Sequence, residues 1–280
     1  MSQEVVEAYQ DERERWLETR NSVRALQVRE VLAGLKPVDI DSAVTEIRYP
    51  LRWHHVALIV WYPAATGHAD ALGCIQRFVQ ELGAAAEVGA TPLVIATDRS
   101  TAWAWLPYRR TPGGVVTAVR RFALQRPDSP SVAIGSPAVF VKGFRRSHAQ
   151  AEAARSVALA GADVNPTVVA DSDPGLAAAA LLGGNVDGAR EWVAEVLGDL
   201  AANTDNDARL RDTLRVFLGC ESSYKLAAGE LTLHSNTVKY RVGRAMIRRG
   251  RPITNDRFDV ELALLLCHWY GDALLSPKPS

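Results

Sequence analysis

Residues 222–249 have the sequence SSYKLAAGELTLHSNTVKYRVGRAMIRR. They predict two short helices that meet at a tight turn, because apolar residues recur at helical spacing on both sides of the turn Thr232-Leu-His234. Such a pair has the form of a helix-turn-helix, whose two apolar faces close over a third helix. The residues predicted to face inward are Leu226, Ala227, Leu231, Val238, Val242, Ala245 and Met246.

The corner between the two helices is predicted in more detail. The Leu233 side chain is expected to fill the space inside the corner. Either His234 or Ser235 is expected to cap the second helix, since both side chains can accept from its first N–H groups. Ala228 is placed where the helices approach closely, because a small side chain lets the backbones meet.

The second helix carries its polar and basic residues on the exposed side. From Lys239 to Arg257 there are seven Lys or Arg residues and one acid, Asp256, a local net charge of +6 in a chain whose total is zero. In helix-turn-helix proteins the first turns of this helix reach base edges, while flanking cations hold phosphates. An ordinary helical hairpin with a solvated basic face is the alternative. The residues predicted to be exposed are Ser235, Asn236, Lys239, Tyr240, Arg241, Arg244, Arg248 and Arg249.

The run Leu231-Thr-Leu-His-Ser-Asn-Thr-Val-Lys-Tyr-Arg-Val242 resembles the C-terminal helix-turn-helix signature of the PucR/CdaR class of bacterial transcriptional regulators. In that signature a His-x-Asn-Thr-(apolar)-x-Tyr-Arg core opens the recognition helix. The resemblance implies double-stranded operator DNA as the partner. We expect Lys239, Arg241, Arg244 and Arg248 to contact phosphates, with Arg241 partly engaged by an intramolecular acid. The predicted DNA-binding residues are His234, Ser235, Asn236, Thr237, Lys239, Tyr240, Arg241, Arg244 and Arg248.

Composition places the chain among ordinary soluble globular proteins, at 280 residues with 48% hydrophobic and 23% charged residues. No apolar run reaches the length of a membrane span, and the N-terminus lacks a signal peptide's order, so a cytoplasmic location is expected. The three cysteines, Cys74, Cys220 and Cys267, have no paired spacing. They predict buried thiols rather than a disulfide framework or a zinc knuckle.

Residues 4–35 are predicted to form one long helix. Tyr9, Trp16, Val23 and Leu26 lie near seven-residue spacing, which fits either a coiled-coil seam or a helix lying on its own domain. The helix is the first candidate seam of a homo-oligomer, and the middle domain is the second. Lys36-Pro37 stops it, and a linker containing Pro50 is expected to lead into the next unit.

The middle of the chain alternates between strand and helix patterns. Strands are predicted at 55–62, 92–96, 101–106, 131–134 and 167–170, with helices at 69–86, 115–124 and 143–160. This order predicts an α+β sandwich with helices over a mostly antiparallel sheet. After Pro174 the chain is predicted to be helical, at 176–182, 186–200, 209–218 and 258–270, with a frayed tail at 276–280.

That element order, with the run from Ala133 to Ser147, is similar to the GGDEF-like domain that precedes the helix-turn-helix in the CdaR branch. The predicted domains are therefore an N-terminal helix and linker (1–48), a degenerate GGDEF-like α+β domain (49–172) and an all-α helix-turn-helix domain (173–280). The family commonly has a sensor upstream, which is expected to be missing here. The residues that carry the match are Gly135, Gly143, Phe144, Arg145, Ser147 and Ala151.

Catalysis is not expected, although true GGDEF domains are nucleotide cyclases. A cyclase needs carboxylates for Mg²⁺ and a Gly-Gly turn for the phosphates, whereas the corresponding hairpin is Ile95-Ala-Thr-Asp-Arg-Ser-Thr-Ala102, with one acid and no glycine pair. No catalytic residue or cofactor is predicted. No metal site is predicted either, since His54 and His55 point to opposite faces of a strand and cannot chelate together. Trp103 and Trp105 lie on the same face of the predicted strand at 101–106. They either pack in the core or line an aromatic pocket for an effector whose identity is unknown.

The sequence therefore predicts a cytoplasmic, homo-oligomeric, DNA-binding transcriptional regulator. A non-DNA-binding effector sensor or scaffold that uses the helix-turn-helix for protein contacts is the alternative. Loss of the cations on the recognition helix would favour that alternative, and the cations are present.

Overall fold

The computed structural model describes residues 22–34, 39–63, 70–161 and 167–275. The described residues up to Arg155, together with 167–172, form one compact unit, the sheet unit. Residues 156–161 and 173–275 form the second, the helical unit. Within the described ranges, no helix has both the length and the apolarity needed to cross a membrane.

The sheet unit contains a six-stranded sheet and five helices within the described ranges. The sheet order is β2-β3-β1-β4-β6, with β5 paired to β1, and every pairing is antiparallel except β4 with β6. The prediction of a mostly antiparallel sheet is therefore confirmed. In chain order the elements are α1 (residues 22–33), α2 (Ile40–Ile47), β1 (His54–Trp61), α3 (Ala71–Ala85), β2 (Leu93–Ala96), β3 (Thr101–Tyr108), α4 (Val115–Leu124), β4 (Ser131–Ile134), β5 (Ala138–Val139), α5 (Phe140–Ala160) and β6 (Val168–Ala170).

Strand β1 is the centre of the sheet and is covered on both faces. Its residues Val56, Leu58 and Val60 join the core that α3 and α4 cover. On the opposite face His55 lies edge-on to Phe144 of α5, and the Ala57 N–H donates to the Ser147 hydroxyl at 2.8 Å. A strand buried on both faces has a continuous apolar sequence, which is why its pattern predicted a central strand.

Helix α2 corrects the prediction of a linker before Pro50. The Asp39 side chain accepts from the Asp41 N–H and caps the helix, and Ala43 and Ile47 are buried beneath it. Ile40, Ala43 and Ile47 follow i, i+3 and i+7, a helical pattern that a segment of only eight residues shows weakly.

Helix α1 lies on its own unit through Val28 and Val31, which are buried. The Arg24 Nε donates to the Ile47 carbonyl at 2.7 Å, and Arg145 of α5 donates to the Val31 carbonyl. Val23 and Leu26, on another side of the helix, are more than half exposed. Residues 4–21 of the predicted helix, its Lys36-Pro37 stop and the predicted frayed tail at 276–280 lie outside the described residues.

The helical unit matches the predicted all-α region closely. Its predicted helix at 186–200 ends earlier, because Gly198 has a φ of 55° and begins a 3-10 turn. The elements are α6 (Leu176–Leu182), α7 (Val186–Leu197), a 3-10 turn (Gly198–Ala201), α8 (Asp205–Gly219), α9 (Tyr224–Glu230), α10 (Ser235–Arg249), α11 (Arg257–Tyr270) and a second 3-10 turn (Gly271–Leu274).

All three cysteines are free thiols, but the prediction that all are buried is correct only for Cys267. Burial raises the pKa of the Cys267 thiol to about 11. Cys74 and Cys220 are half-buried at the edges of the two cores.

Candidate nucleic-acid interface

The corner between α9 and α10 is built from local hydrogen bonds. Ser223 caps α9 by accepting from the Leu226 N–H at 3.3 Å, and the Leu233 N–H donates to the Ala228 carbonyl at 2.9 Å. The His234 Nδ1 accepts from the Asn236 N–H at 3.2 Å, so His234 is the cap of α10. This resolves the choice between His234 and Ser235.

The inner face of α10 packs as predicted. Val238, Val242 and Ala245 are buried in the core of the helical unit, and Met246 packs against the edge of that core. Helix α8 is a main support of this face, consistent with the predicted third helix. The four residues recur at i, i+4, i+7 and i+8, which fixes the rotation of α10 about its axis.

The predicted inner face of α9 is wrong at Leu226, whose residue surface is 59% exposed. The inward face instead consists of Ala227 and Ala228, which are buried, and Leu231, which packs against the core, while Tyr224 lies at its margin with 38% of its surface exposed. Tyr224 stacks on Phe217 of α8 with 4.6 Å between ring centroids. Stacking of this ring and burial of the two alanines set the helix phase and leave Leu226 in solvent.

The outer face of α10 is defined here by its six exposed residues. It lies opposite the buried residues, because positions three and four apart share one side of a helix. Ser235, Thr237 and Arg241 are half-buried at its margins, and His234 is exposed at its start. The outer face consists of Asn236, Lys239, Tyr240, Gly243, Arg244 and Ile247.

The cations of α10 and the following loop divide into two groups. Within the described residues, Lys239, Arg241 and Arg244 have no hydrogen-bond or ion-pair partner. Arg248, Arg249, Arg251 and Arg257 are each paired with carboxylates. The unpaired positive charge therefore lies in the middle of α10, between Lys239 and Arg244.

Arg248 holds the C-terminal part of α10 against the start of α8. Its Nε donates to Asp207 Oδ1 at 2.9 Å and its Nη2 to Oδ2 at 3.1 Å, a two-point pair. The Arg248 Nη2 also donates to the Asp199 carbonyl at 3.1 Å. A phosphate contact by Arg248 stays a prediction, and it would require exchange of these partners. Within the described residues no carboxylate pairs with Arg241, so the expected engagement of Arg241 by an intramolecular acid is not found.

Asp207 is almost completely buried and also belongs to the cap of α8. Its N–H donates to the Thr204 hydroxyl, which donates in turn to Asp207 Oδ2 at 2.7 Å. Burial raises the pKa of Asp207, but the hydrogen bonds from Arg248 and Thr204 outweigh it and hold the pKa below the ordinary value of 3.8. Asp207 is therefore ionised at neutral pH.

The prediction that Arg249 is exposed is wrong, since only 4% of its surface is accessible. Its Nε donates to the Val196 carbonyl at 2.9 Å, and its Nη2 pairs with Asp256. Arg249 follows Val238, Val242 and Ala245 on the inner side of the helix, so its guanidinium joins α10 to α7 and to the loop before α11.

Two parts of the sequence match known domain families. Residues 33–157 match the GGDEF-like domain, and residues 210–266 match the PucR C-terminal helix-turn-helix domain. The chain belongs to the PucR/CdaR family of transcriptional regulators. In this PucR/CdaR-family chain the second match runs from α8 into α11 and includes all of α9 and α10.

One solved structure similar to this PucR/CdaR-family chain is a regulator of polyketide synthase expression from Bifidobacterium adolescentis. The two are 22% identical, over 88% of this chain and 92% of that chain, with a TM-score of 0.40. No curated protein matches the chain.

In the GGDEF-like domain of this PucR/CdaR-family chain, the hairpin that corresponds to a cyclase's metal-binding hairpin has its polar groups hydrogen-bonded to one another. Asp98, its one acid, accepts from the Ser100 N–H at 2.8 Å and from the Ser100 hydroxyl at 3.2 Å. The Thr97 N–H donates to the Thr101 carbonyl at 3.0 Å. No group of three or more metal-ligating side chains occurs among the described residues.

The two tryptophans of β3 take part in an aromatic cluster with α5. Trp105 is fully buried and stacks on Phe144, with 4.3 Å between ring centroids. Trp103 is half-buried, and its Nε1 donates to Glu152 at 2.9 Å. Core packing therefore accounts for Trp105, while Trp103 reaches the margin of the cluster.

The acids that engage α10 are not evident from the local sequence around that helix. Asp207 lies three residues after Thr204, the spacing of a capping pair, and this was the available local signal. Nothing local links either residue to Arg248, which is 41 residues further along the chain.

Proposed function

We propose that the protein is a cytoplasmic regulator that binds operator DNA by placing the outer face of α10 in the major groove. The observation that carries this proposal is the division of roles on α10. Its inner face and Arg248 and Arg249 are engaged by the protein, whereas Asn236, Lys239, Tyr240 and Arg244 extend outward. Within the described residues, those four side chains have no hydrogen-bond or ion-pair partner.

The order of these residues along α10 fits the contacts that DNA offers. Asn236 lies in the first turn, where base edges are reached, and its amide can bind adenine N6 and N7 together. Lys239 and Arg244 lie on opposite margins of the outer face, each facing one wall of a groove, and Arg241 lies beyond Arg244. We assign base contacts to Asn236, Ser235 and Tyr240, and phosphate contacts to the three unpaired cations.

A second copy of the chain completes the proposal. One recognition helix covers only a short half-site, so specific binding requires two. Val23 and Leu26 of α1 belong to the predicted seam, and both are exposed in the described part of that helix. We propose a homo-oligomer that joins through this helix, with the N-terminal segment (1–48), the GGDEF-like domain (49–172) and the DNA-binding domain (173–280) as its working parts.

We propose that the GGDEF-like domain has no catalytic role and needs no cofactor. The support is the hairpin at Asp98, whose carboxylate is engaged by Ser100 and whose sequence has no glycine pair. Purified protein given GTP or ATP with Mg²⁺ should form no cyclic or linear dinucleotide. Product that is reproducible and absent from a mock preparation would overturn this part.

The first test is selection of bound fragments from random duplex DNA by purified full-length protein. We expect one enriched motif with two related halves. Asn236→Ala should then lower affinity for that motif by about 1–3 kcal/mol and leave random duplex binding nearly unchanged. Asn206→Ala, which removes an exposed amide from α8, is the matched control and should bind as the wild type does.

Failure to enrich any motif, in protein with intact helical content, would refute the proposal. That result would favour the alternative in which the helix-turn-helix contacts another protein. Equal losses for Asn236→Ala and Asn206→Ala would show that the effect does not come from the outer face of α10.

A further inference from the structure

Gly243 lies in the interior of α10, where glycine is unfavourable. It is the ninth residue of a helix from Ser235 to Arg249, and its surface is exposed. Glycine in a helix interior loses more conformational freedom than alanine does and therefore destabilises the helix. A Cβ added at Gly243 would meet no atom within 4 Å, so nothing within the described protein requires its absence.

Other glycines inside helices have a reason that Gly243 lacks. A Cβ at Gly83 would meet the Pro92 side chain at 2.7 Å, and one at Gly143 would meet the Ala138 backbone at 2.6 Å. Gly73 and Gly188 contact the capping residues of their own first turns. Gly219 and Gly229 are also open, but they lie in the last turns of α8 and α9, outside the helix interior where glycine is most costly. The absence of a side chain at Gly243 therefore points to a contact outside the chain.

The position of Gly243 identifies that contact. At about 100° per residue, Asn236, Gly243 and Ile247 lie within about 40° of one another, on the midline of the outer face. Tyr240 and Ile247 precede and follow Gly243 by one turn, and each is 68% exposed. The surface at Gly243 is therefore a notch in the helix, with a phenol ring on one side and an aliphatic side chain on the other.

The chemistry of this notch is apolar. Its floor is helical backbone, whose N–H and C=O groups are already bonded within the helix. Of the exposed side chains one turn away, Tyr240 and Ile247 are largely apolar, whereas Lys239 lies at the margin of the outer face and is assigned to a phosphate. The floor between the two apolar side chains therefore fits a methyl group. In the major groove the one methyl group on a base is at C5 of thymine.

We propose that the Gly243 notch receives the C5-methyl group of one thymine in each half-site and thereby selects thymine at that position. This inference rests on the proposed DNA binding by α10. It adds Gly243 and Ile247 to the residues that determine specificity, and neither belongs to the motif that first indicated the recognition helix.

The test uses the duplex that the full-length wild-type protein selects from random DNA. Each thymine is replaced in turn by uracil, which removes the methyl group and keeps the base pairing. We expect about a fourfold loss of wild-type affinity at one thymine per half-site, the effect of burying one methyl group. Other substitutions should have smaller effects.

The same scan is repeated with Gly243→Ala, which fills part of the notch, and with Gly243→Leu, which fills all of it. Both should keep the helical content and have a thermal midpoint no lower than that of the wild type. Both should bind the selected duplex more weakly, Gly243→Leu by tenfold or more, and the uracil effect should disappear. Gly219→Ala, the same change at the open end of α8, should leave affinity and the uracil effect unchanged.

Each outcome has a definite meaning. If the wild type selects no duplex, both the proposed function and this inference fail. If it selects a duplex but no uracil substitution weakens binding, the notch alone is refuted. The notch is also refuted if Gly243→Leu binds as the wild type does, or if the uracil effect persists undiminished in that variant.

Discussion

The pair of Arg248 and Asp207 provides a quantitative test of how α10 is positioned. Only 3% of the Asp207 side chain is accessible, against 31% of the Arg248 side chain, so the two partners depend on each other unequally. Removing Arg248 leaves a buried carboxylate with the Thr204 hydroxyl as its remaining side-chain donor. Removing the charge of Asp207 leaves a guanidinium that can reach water and still contacts Asp199.

This asymmetry sets the expected magnitudes. Arg248→Met should lower the free energy of unfolding by about 3–5 kcal/mol, the range for a buried charge that loses its partner. Asp207→Asn keeps the side-chain shape and strands only part-exposed donors, so about 1–3 kcal/mol is expected. The double variant Asp207→Leu with Arg248→Met should be more stable than Arg248→Met alone, because no buried charge remains.

Urea unfolding followed by circular dichroism gives these free energies. Hydrogen exchange of peptides from α8 and α10 would locate the loss in the helical unit. Because the folded-state pKa of Asp207 lies below its ordinary value of 3.8, its contribution is present above that value and is lost as the pH falls through the folded-state pKa. The wild type and Asp207→Asn should therefore converge in acid. Costs below about 0.5 kcal/mol, or a larger cost for Asp207→Asn than for Arg248→Met, would refute this reasoning.

Three further predictions concern packing, protonation and assembly. Leu226→Lys should change the free energy of unfolding by less than about 0.5 kcal/mol, because Leu226 is exposed. Ala227→Leu, at a fully buried position, should lower it by about 1–3 kcal/mol. Comparable urea midpoints for the two variants would contradict the observed rotation of α9 about its axis. Burial lowers the pKa of His55 from 6.5 to about 4, so stability should decline as the pH falls through that interval, and His55→Phe should flatten the decline in a pH series of urea midpoints. Light scattering should find a species larger than the 30.5 kDa single chain, and Val23→Asp with Leu26→Asp should shift it toward that mass. A 30.5 kDa species alone, with and without DNA, would count against assembly.

Elements with strong local patterns were predicted with nearly correct bounds. Helix α4 (Val115–Leu124) and strand β4 (Ser131–Ile134) agree with the prediction at both ends. In each, the apolar pattern runs the whole length of the element and stops at its flanking residues. Helix α2 was missed because it has only two buried residues in eight. The phase of α9 was wrong at Leu226 because a seven-residue helix holds too few turns for adjacent phases to be distinguished by periodicity.

The candidate site was predictable where it depends on α10 itself. The cap at His234, the inner face at Val238, Val242 and Ala245, and the exposure of Asn236, Lys239, Tyr240 and Arg244 agree with the local pattern. The burial of Arg249 and the pairing of Arg248 were not foreseen. They depend on Val196, Asp199 and Asp207, which lie 41 to 53 residues away in sequence and contact α10 only after the helices pack.

The most direct measurement of the central claim is the salt dependence of duplex DNA binding by wild type, Arg244→Ala and Arg99→Ala. Arg244 is exposed on the outer face of α10, whereas Arg99 is an exposed arginine in the β2–β3 turn of the sheet unit, so the two changes remove the same charge from different places. If α10 lies in the groove, Arg244→Ala should weaken binding to all sequences and reduce the slope of log K against log salt by about one unit. Arg99→Ala should leave the slope as it is. An unchanged slope in folded Arg244→Ala protein would contradict DNA binding through the outer face of α10.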